Sequence, residues 1–285
     1  MMPLIGMIGV LLSVIVGYKM LQGNLSIMFQ PAEFVIIGGI ALFALIISSG
    51  KKFTVIFKHA AGIFKSPKTN RENYLDLLLL LHHLFAKAQR EGLISLESHL
   101  DTPENSDIFK KFPSIASQAK IIVCITDNLR ILISGGTAQT LDSLIEIDID
   151  TQHREALYPS AIISKIADSL PGFGIVAAVL GVTLAMTKIA ESPVVLGHTI
   201  AAALVGTFLG VLLCYGFVGP IATYLEHQVH EEEVFFTVIK MSLVAFAEGT
   251  HPILAVEAGR RAIPTYGRPS FQEIENEIRK WKGKA

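Results

Sequence analysis

The sequence predicts an all-α membrane protein with four transmembrane helices, a large helical cytoplasmic loop and a helical C-terminal tail. Four stretches contain no Asp, Glu, Lys or Arg: Met1–Tyr18, Phe34–Gly50, Ser169–Thr187 and Thr199–Leu225. They form two pairs, separated by a long charged segment. A helix needs about 17–25 mostly apolar residues to cross a hydrocarbon layer about 30 Å thick, and each stretch is long enough. Four such runs rarely occur together in a soluble chain.

The positions of the basic residues predict how the spans are oriented. Of the 24 Lys and Arg residues, 14 lie in Lys51–Lys165 and 8 follow Leu225. The short loops Leu21–Gln30 and Lys188–His198 hold only Lys188, and Lys19 lies just before the first of them. Basic residues favour the cytoplasmic side of a membrane. We therefore expect the long loop and both termini in the cytoplasm. Met1–Tyr18 lacks a preceding basic region and a small-residue cleavage site, so we interpret it as an uncleaved span.

The charged segment between the two pairs of spans is predicted to fold into helices. Asn73–Arg90 is apolar on most sides, which is typical of a helix buried among other helices, and Gly92 ends it. Pro113 suits the first position of a second helix, which we expect to run to Gly135. Thr140–Asp150 ends in an alternating pattern that resembles a strand. No other strand candidate lies nearby to pair with it, so we predict helix there too.

The chain thus divides into four predicted segments. Residues 1–50 hold transmembrane helices 1 and 2, and 51–168 form the cytoplasmic helical domain. Residues 169–225 hold transmembrane helices 3 and 4, and 226–285 form a charged tail that ends in an amphipathic helix from Arg268 to Trp281.

Small residues recur at helical spacing in the last two spans. They fall at steps of three or four and so line one face of each helix: Gly174, Ala178, Gly181 and Ala185 in the third span, and Ala202, Gly206 and Gly210 in the fourth. Such stripes let helices approach closely in lipid. Helix packing explains most of these residues, and the same small side chains would suit the wall of an ion pathway.

Two prolines and one threonine in these spans are less ordinary. Pro220 lies inside the fourth span, where it permits a kink, and Pro171 marks either a kink or a helix start. Thr207 either bonds to its own backbone or offers a polar station to water or a cation. The last two spans contain no carboxylate. Any cation that crosses them therefore needs an acid from elsewhere.

The rest of the composition excludes several functions. A net charge of −1 gives no case for nucleic acid, and Cys124 and Cys214 lie in different predicted compartments, so we expect no disulfide. His227 and His230, followed by three glutamates, fit a solvated helix better than a metal site. We find neither a phosphate-binding glycine loop nor a nucleophile with an evident base. We therefore predict a protein that is not an enzyme and has no metal or other cofactor.

Several motifs together resemble the MotA branch of the MotA/TolQ/ExbB proton channel family. The resemblance covers nearly the whole chain, and four spans fit this branch better than the three-span relatives. The matching segments are Gln30–Glu33, Ser95–Glu97, Asp168–Ala178, Val205–Gly210, Tyr215–Pro220, Ala255–Glu257 and Arg268–Phe271.

The resemblance implies a flagellar motor stator subunit in the bacterial inner membrane. In the family, five copies surround two copies of MotB, which supplies a transmembrane Asp and a peptidoglycan anchor. Protons cross along that Asp, and the pentamer turns against the rotor protein FliG. This would explain why the last two spans carry no acid of their own.

The resemblance also assigns roles to individual residues. The ion pathway and coupling set is Pro171, Ala178, Gly206, Thr207, Tyr215 and Pro220. Glu97 matches the acidic rotor contact. The basic rotor contact of the family aligns with Gln89, and Arg90 follows one residue later, which rotates a helical side chain by about 100°. Sodium-driven relatives carry threonines where Ala178 and Gly206 stand here, so H⁺ is the expected coupling ion.

Two other classes stay open at this point. One is an energy transducer of the ExbB/TolQ type that drives an outer-membrane system, and the neighbouring genes would distinguish it. The other is a membrane scaffold or enzyme without ion flux, which a proton leak dependent on the partner's Asp would exclude.

Overall fold

The structure is a computed structural model that describes residues 2–54, 56 and 70–282, and this part of the chain contains helices and no strands. Contacts divide the chain into two compact units. The first unit is Met1–Ser66 with Ala156–His227, and the second unit is Pro67–Glu155 with Gln228–Ala285. The predicted boundaries at 50, 168 and 225 divide the chain into consecutive segments. Each of the two units instead combines two segments that are distant in sequence.

Twelve α-helices are described. In chain order they are α1 (Met2–Met20), α2 (Leu25–Met28), α3 (Pro31–Ser49), α4 (Arg71–Glu91), α5 (Glu97–Asp101), α6 (Pro113–Ala116), α7 (Ala119–Ile133), α8 (Ala138–Thr187), α9 (Pro193–Leu212), α10 (Gly219–Ala247), α11 (Pro252–Ala262) and α12 (Phe271–Lys282). Four helical stretches are long and apolar enough to cross a membrane, which confirms the predicted spans.

Local sequence explains where the membrane helices begin. Asn24 caps α2 by accepting a hydrogen bond from the Ser26 amide at 3.0 Å. Prolines open α3 and α9, at Pro31 and Pro193, where the missing N–H would have had no helical partner.

The third span does not begin at its proline. It forms the last part of α8, a single helix of 50 residues that contains Pro159 and Pro171 in its interior. The helix-start interpretation of Pro171 is therefore wrong. The helix begins at Ala138 and continues through Pro159, so the residues before Pro171 are already helical.

The second unit has a large core of leucine and aromatic side chains. Within α4, Leu77, Leu80, Leu81 and Leu84 are fully buried, as the nearly all-round apolar pattern predicts. Aromatic pairs add to this core. Tyr74 stacks on Phe235 at 4.6 Å between ring centres, and Phe85 stacks on Phe246 at 4.4 Å.

The loop predictions are mostly confirmed. Asn70 caps α4, and the helix ends before Gly92, whose φ of 85° is a backbone conformation that glycine adopts readily. Residues 140–150 are helical, as expected. The helix expected from Pro113 to Gly135 is interrupted, because Gln118 has a non-helical backbone and Ala119 starts a new helix.

Side chains of the C-terminal tail stabilise the turn that precedes α12. Ser270 and Glu273 form a capping box, in which each side chain accepts the other residue's backbone N–H, at 2.7 and 3.2 Å. Arg260 donates to both carboxylate oxygens of Glu257 and to the Pro269 carbonyl. The described cysteines, Cys124 and Cys214, are free and buried, and burial raises the pKa of the Cys124 thiol to about 12.

Candidate functional site

The membrane helices α8 and α9 meet through glycine backbones in the first unit. A Cβ added at Gly174 would lie 2.7 Å from the Gly206 carbonyl oxygen, and one at Gly210 would lie 2.6 Å from the Leu170 carbonyl oxygen. These separations are too short for any side chain, and the atoms met are backbone. The predicted small-residue stripes therefore form the contact between the two helices.

An acid from another span lies against this contact. Glu33, in the first turn of α3, is 7% exposed, and a Cβ added at Gly206 would lie 2.5 Å from its Oε2 atom and 3.2 Å from the Ala178 amide nitrogen. The Glu33 Oε2 atom is buried without a hydrogen-bond partner among the described residues. Glu33 and Ala178 are thus both immediate neighbours of Gly206.

Glu33 is an acid from another span of this chain, which agrees with the expectation that the acid comes from outside the last two spans. The last two spans do lack a carboxylate, but α3 brings one to them. The sequence carried a signal for this, because an ionisable residue within a membrane helix marks a functional site by default. The signal was missed because Glu33 stands at the predicted edge of its span, where solvation is the ordinary expectation.

Thr207 differs from the other threonines of the spans. Thr183, Thr199 and Thr223 each donate to the carbonyl four residues earlier, at 2.8, 2.9 and 3.3 Å. Within the described part of the chain, Thr207 forms no such bond, although it is half-buried. The backbone-bonded interpretation of Thr207 is therefore wrong, and its hydroxyl is available to water or an ion.

A π-helix precedes Pro220. It spans Leu213–Val218, includes Tyr215, and ends where the Gly219 amide bonds to the Cys214 carbonyl, five residues back. Pro220 has no N–H, so it cannot bond to Gly216, four residues back, and restore α-helical pairing. Single π-turns within α-helices are rare, and those that occur are often found at functional sites.

A groove of about 470 Å³ follows the π-helix in the first unit. Its lining includes Tyr215 and Pro220, together with Asp168 and His227. Two of the predicted coupling residues thus share one surface with an acid that precedes the third span. Pro171, the other predicted coupling proline, is half-buried and adjoins Leu170, whose carbonyl contacts Gly210.

The two predicted rotor contacts lie in the second unit and are exposed. Arg90 is in the last turn of α4, and its Nε donates to the Ala86 carbonyl at 3.2 Å. Glu97 is the first residue of α5 and forms no ion pair with any described residue. Both charges face solvent, and the predicted pathway residues form a separate set in the first unit.

Two family models match the chain. The model described as Motility protein A N-terminal matches residues 4–92, and that of the MotA/TolQ/ExbB proton channel family matches residues 116–237. Motility protein A of Salmonella typhimurium is 39% identical over 281 residues, which cover 98% of this chain and 95% of that protein. Chemotaxis protein LafT of Vibrio parahaemolyticus is 34% identical, covering 99% and 100%.

Solved structures share the fold. The MotAB structure of C. jejuni superposes with a TM-score of 0.77 at 21% identity, covering 92% of this chain and 95% of the matched chain. The flagellar MotAB stator complex of Bacillus subtilis gives 0.76 at 22% identity, covering 94% and 98%. The chain therefore belongs to the motility protein A branch of the MotA/TolQ/ExbB proton channel family and has the fold of a flagellar stator subunit.

Proposed function

We propose that this flagellar stator subunit conducts H⁺ across the bacterial inner membrane together with MotB, and converts the flow into torque on the rotor. The observation that carries the proposal is the wall at which Gly206 of α9 meets Ala178 of α8 and the buried Glu33 of α3. The unbonded hydroxyl of Thr207 follows Gly206 in sequence. In this proposal the Glu33 carboxylate and the Thr207 hydroxyl act as polar stations for the proton beside these small residues.

The same wall argues for H⁺ over Na⁺. A sodium ion sheds water as it enters a site and needs several oxygen ligands in exchange, as hard cations do. The resemblance implies that sodium-driven relatives supply threonines at the positions of Ala178 and Gly206. Here a threonine at 206 would find its Cβ 2.5 Å from Glu33 Oε2. A threonine at 206 would therefore require the Glu33 side chain to move aside.

MotB is the partner that completes the pathway. The solved structures of similar fold are complexes named MotAB. In this proposal two MotB chains contribute the transmembrane Asp and the anchor, and five copies of this chain surround them. The N- and C-termini face the cytoplasm, where the basic loop and tail lie, and Arg90 and Glu97 meet FliG. The chain itself performs no covalent catalysis.

A flux measurement tests the proposal directly. The chain and its MotB are co-reconstituted in vesicles carrying an internal pH dye, and a potassium diffusion potential drives entry. We expect acidification that is independent of sodium and abolished when the MotB Asp is changed to Asn. Acidification that persists in the Asn variant would contradict the shared pathway.

A motility measurement tests the choice of ion. Rotation should continue in sodium-free medium and stop when a protonophore collapses the proton gradient. A rotation speed that follows external Na⁺ at fixed proton-motive force would overturn the choice of H⁺, and would leave the role as a stator subunit intact.

A further inference from the structure

Two histidines and a glutamate from two helices converge in the second unit. His153 comes from α8, and His230 and Glu233 are one turn apart on α10. His153 Nδ1 lies 2.9 Å and His230 Nδ1 lies 3.7 Å from Glu233 Oε2. The candidate ligand atoms of the three residues all fall within 4.8 Å of one another. The two imidazole rings are 5.1 Å apart between centres.

We propose that His153, His230 and Glu233 form a binding site for Zn²⁺. Two imidazole nitrogens and one carboxylate are a ligand set that zinc accepts, with a water in the fourth position. The imidazoles exclude Ca²⁺ and Mg²⁺, which take oxygen ligands. The i, i+3 spacing of His230 and Glu233 places both on one face of α10, and His153 supplies the ligand from the other helix.

The distances fit an ion after small side-chain movements. Bond lengths of about 2.0–2.2 Å to zinc put neighbouring ligands of a tetrahedral site roughly 3.3 Å apart. The two separations from Glu233 Oε2, 2.9 and 3.7 Å, bracket that value. The His230 side chain is 52% exposed, so it can turn toward an arriving ion, while the His153 side chain is only 21% exposed and fixes the site.

A second observation points to a missing partner. His153 Nδ1 is buried and forms no hydrogen bond with a described residue. Its short approach to Glu233 Oε2 lacks the alignment that a hydrogen bond requires. A buried polar atom without a hydrogen bond is unfavourable, and a metal ion placed between the nitrogen and the carboxylate would satisfy both atoms at once.

This site differs from the one that the sequence made conspicuous. His227 and His230 are neighbours on one helix, and both precede a glutamate run. The structure instead pairs His230 with His153, which lies on α8, before the whole of α9. Residues so far apart in the sequence form no local motif. A bound ion would tie α8 to α10 within the second unit.

Metal binding is measured on the full-length chain purified with its MotB through a tag that contains no histidine. Zn²⁺ is titrated against a chromophoric chelator, and Co²⁺ is used separately as a visible-absorption probe. The variants are His153→Gln, His230→Ala and Glu233→Gln. The matched control is His251→Ala, which removes an exposed histidine of the same unit. Circular dichroism and complex yield show whether each variant folds.

We expect each site variant to weaken Zn²⁺ binding by about 10–100-fold or more, and the control to leave it unchanged. Co²⁺ should give the intense visible bands of a four-coordinate ion, lost in His153→Gln. His230→Cys, which supplies another zinc ligand, should restore binding and add a sulfur-to-cobalt band. Zinc binding that survives the loss of both histidines, or that falls equally in the control, would overturn the proposal. A folded wild-type complex that binds no zinc would overturn it as well.

Discussion

At the scale of single residues, the membrane wall depends on the absence of side chains as much as on their presence. Gly206 leaves room for the Glu33 carboxylate, and its neighbour Ala178 on α8 also has a small side chain. Thr207 adds a hydroxyl without a backbone bond. Polar groups left unpaired in a membrane protein are costly. We infer that water or the transported ion accompanies Glu33 and Thr207 in the working protein.

The first prediction concerns Glu33→Gln, which keeps the shape of the side chain and removes its carboxylate. Membrane abundance should match that of the unmodified protein, because the amide still fits beside Gly206. Proton flux and swimming speed should fall several-fold, because a proton station is lost. The two measurements are made in one strain, by immunoblot and by tracking.

Glu191→Gln is the matched control, because Glu191 is an exposed acid in the loop between α8 and α9. It should leave both abundance and speed unchanged. Full swimming speed in Glu33→Gln would show that Glu33 serves packing alone.

At the scale of elements, the two predicted coupling prolines lie in different helical contexts. The π-helix Leu213–Val218 joins α9 to α10 and precedes Pro220. The 50-residue helix α8 contains two prolines yet continues through both. A π-turn differs from an α-turn in that its hydrogen bonds join residues five rather than four apart, so a shift of these bonds by one residue converts one form into the other. Such a segment suits a part that changes shape when an ion passes.

The second prediction is that Pro220→Ala uncouples ion flow from torque. The new N–H can bond to the Gly216 carbonyl, so the π-helix should relax toward regular α-helix. Complex assembly and proton leak should persist while swimming is lost. Pro193→Ala is the control, because Pro193 occupies the first turn of α9, where no helical bond is gained. Normal swimming of Pro220→Ala at normal abundance would contradict the prediction.

The third prediction concerns the docking of α12 in acid. The Ser270 amide, the Arg71 guanidinium and the Ser270 hydroxyl hold the pKa of Glu273 at about 2, below its ordinary value of 4.5. The folded state therefore favours the carboxylate. The stabilisation is complete above pH 4.5 and is lost as the pH falls through 4.5 toward 2.

Hydrogen exchange of residues 271–282 should accelerate across that window. Glu273→Gln should show fast exchange already at neutral pH and little further change in acid. Glu277→Gln is the control, since Glu277 pairs with Lys280 on the helix surface at 2.6 Å and does not take part in the capping box. Equal exchange in Glu273→Gln and in the unmodified protein at neutral pH would show that the capping box does not hold this helix.

At the scale of the whole molecule, the sequence predicts the architecture better than the site. Spans, loop helices and the small-residue contact all follow from runs and periods that a single segment carries. The proximity of Glu33 to Gly206 and of His153 to His230 could not be predicted, because each pair joins residues from distant segments. The π-helix was also not predicted. Pro220 indicates a kink in the span, but it does not indicate which hydrogen-bond pattern the preceding residues adopt.

The fourth prediction concerns the contact with the rotor. Glu97 is exposed at the start of α5 and forms no ion pair among the described residues, so its charge is available to a partner. An exposed ion pair contributes about 0–1 kcal/mol. Glu97→Gln should therefore reduce torque only partly, and Glu97→Lys should reduce it further, because it replaces attraction by repulsion.

A compensating reversal on FliG separates this contact from damage to the fold. Torque is measured on tethered cells for Glu97→Lys alone and with acidic substitutions at exposed FliG lysines and arginines. We expect one such pairing to restore torque, because opposite charges then face each other again. Glu104→Lys, at another exposed acid of the second unit, should lower torque less and gain nothing from the same FliG variants. Failure of every FliG reversal to rescue Glu97→Lys would show that Glu97 does not pair with a rotor cation.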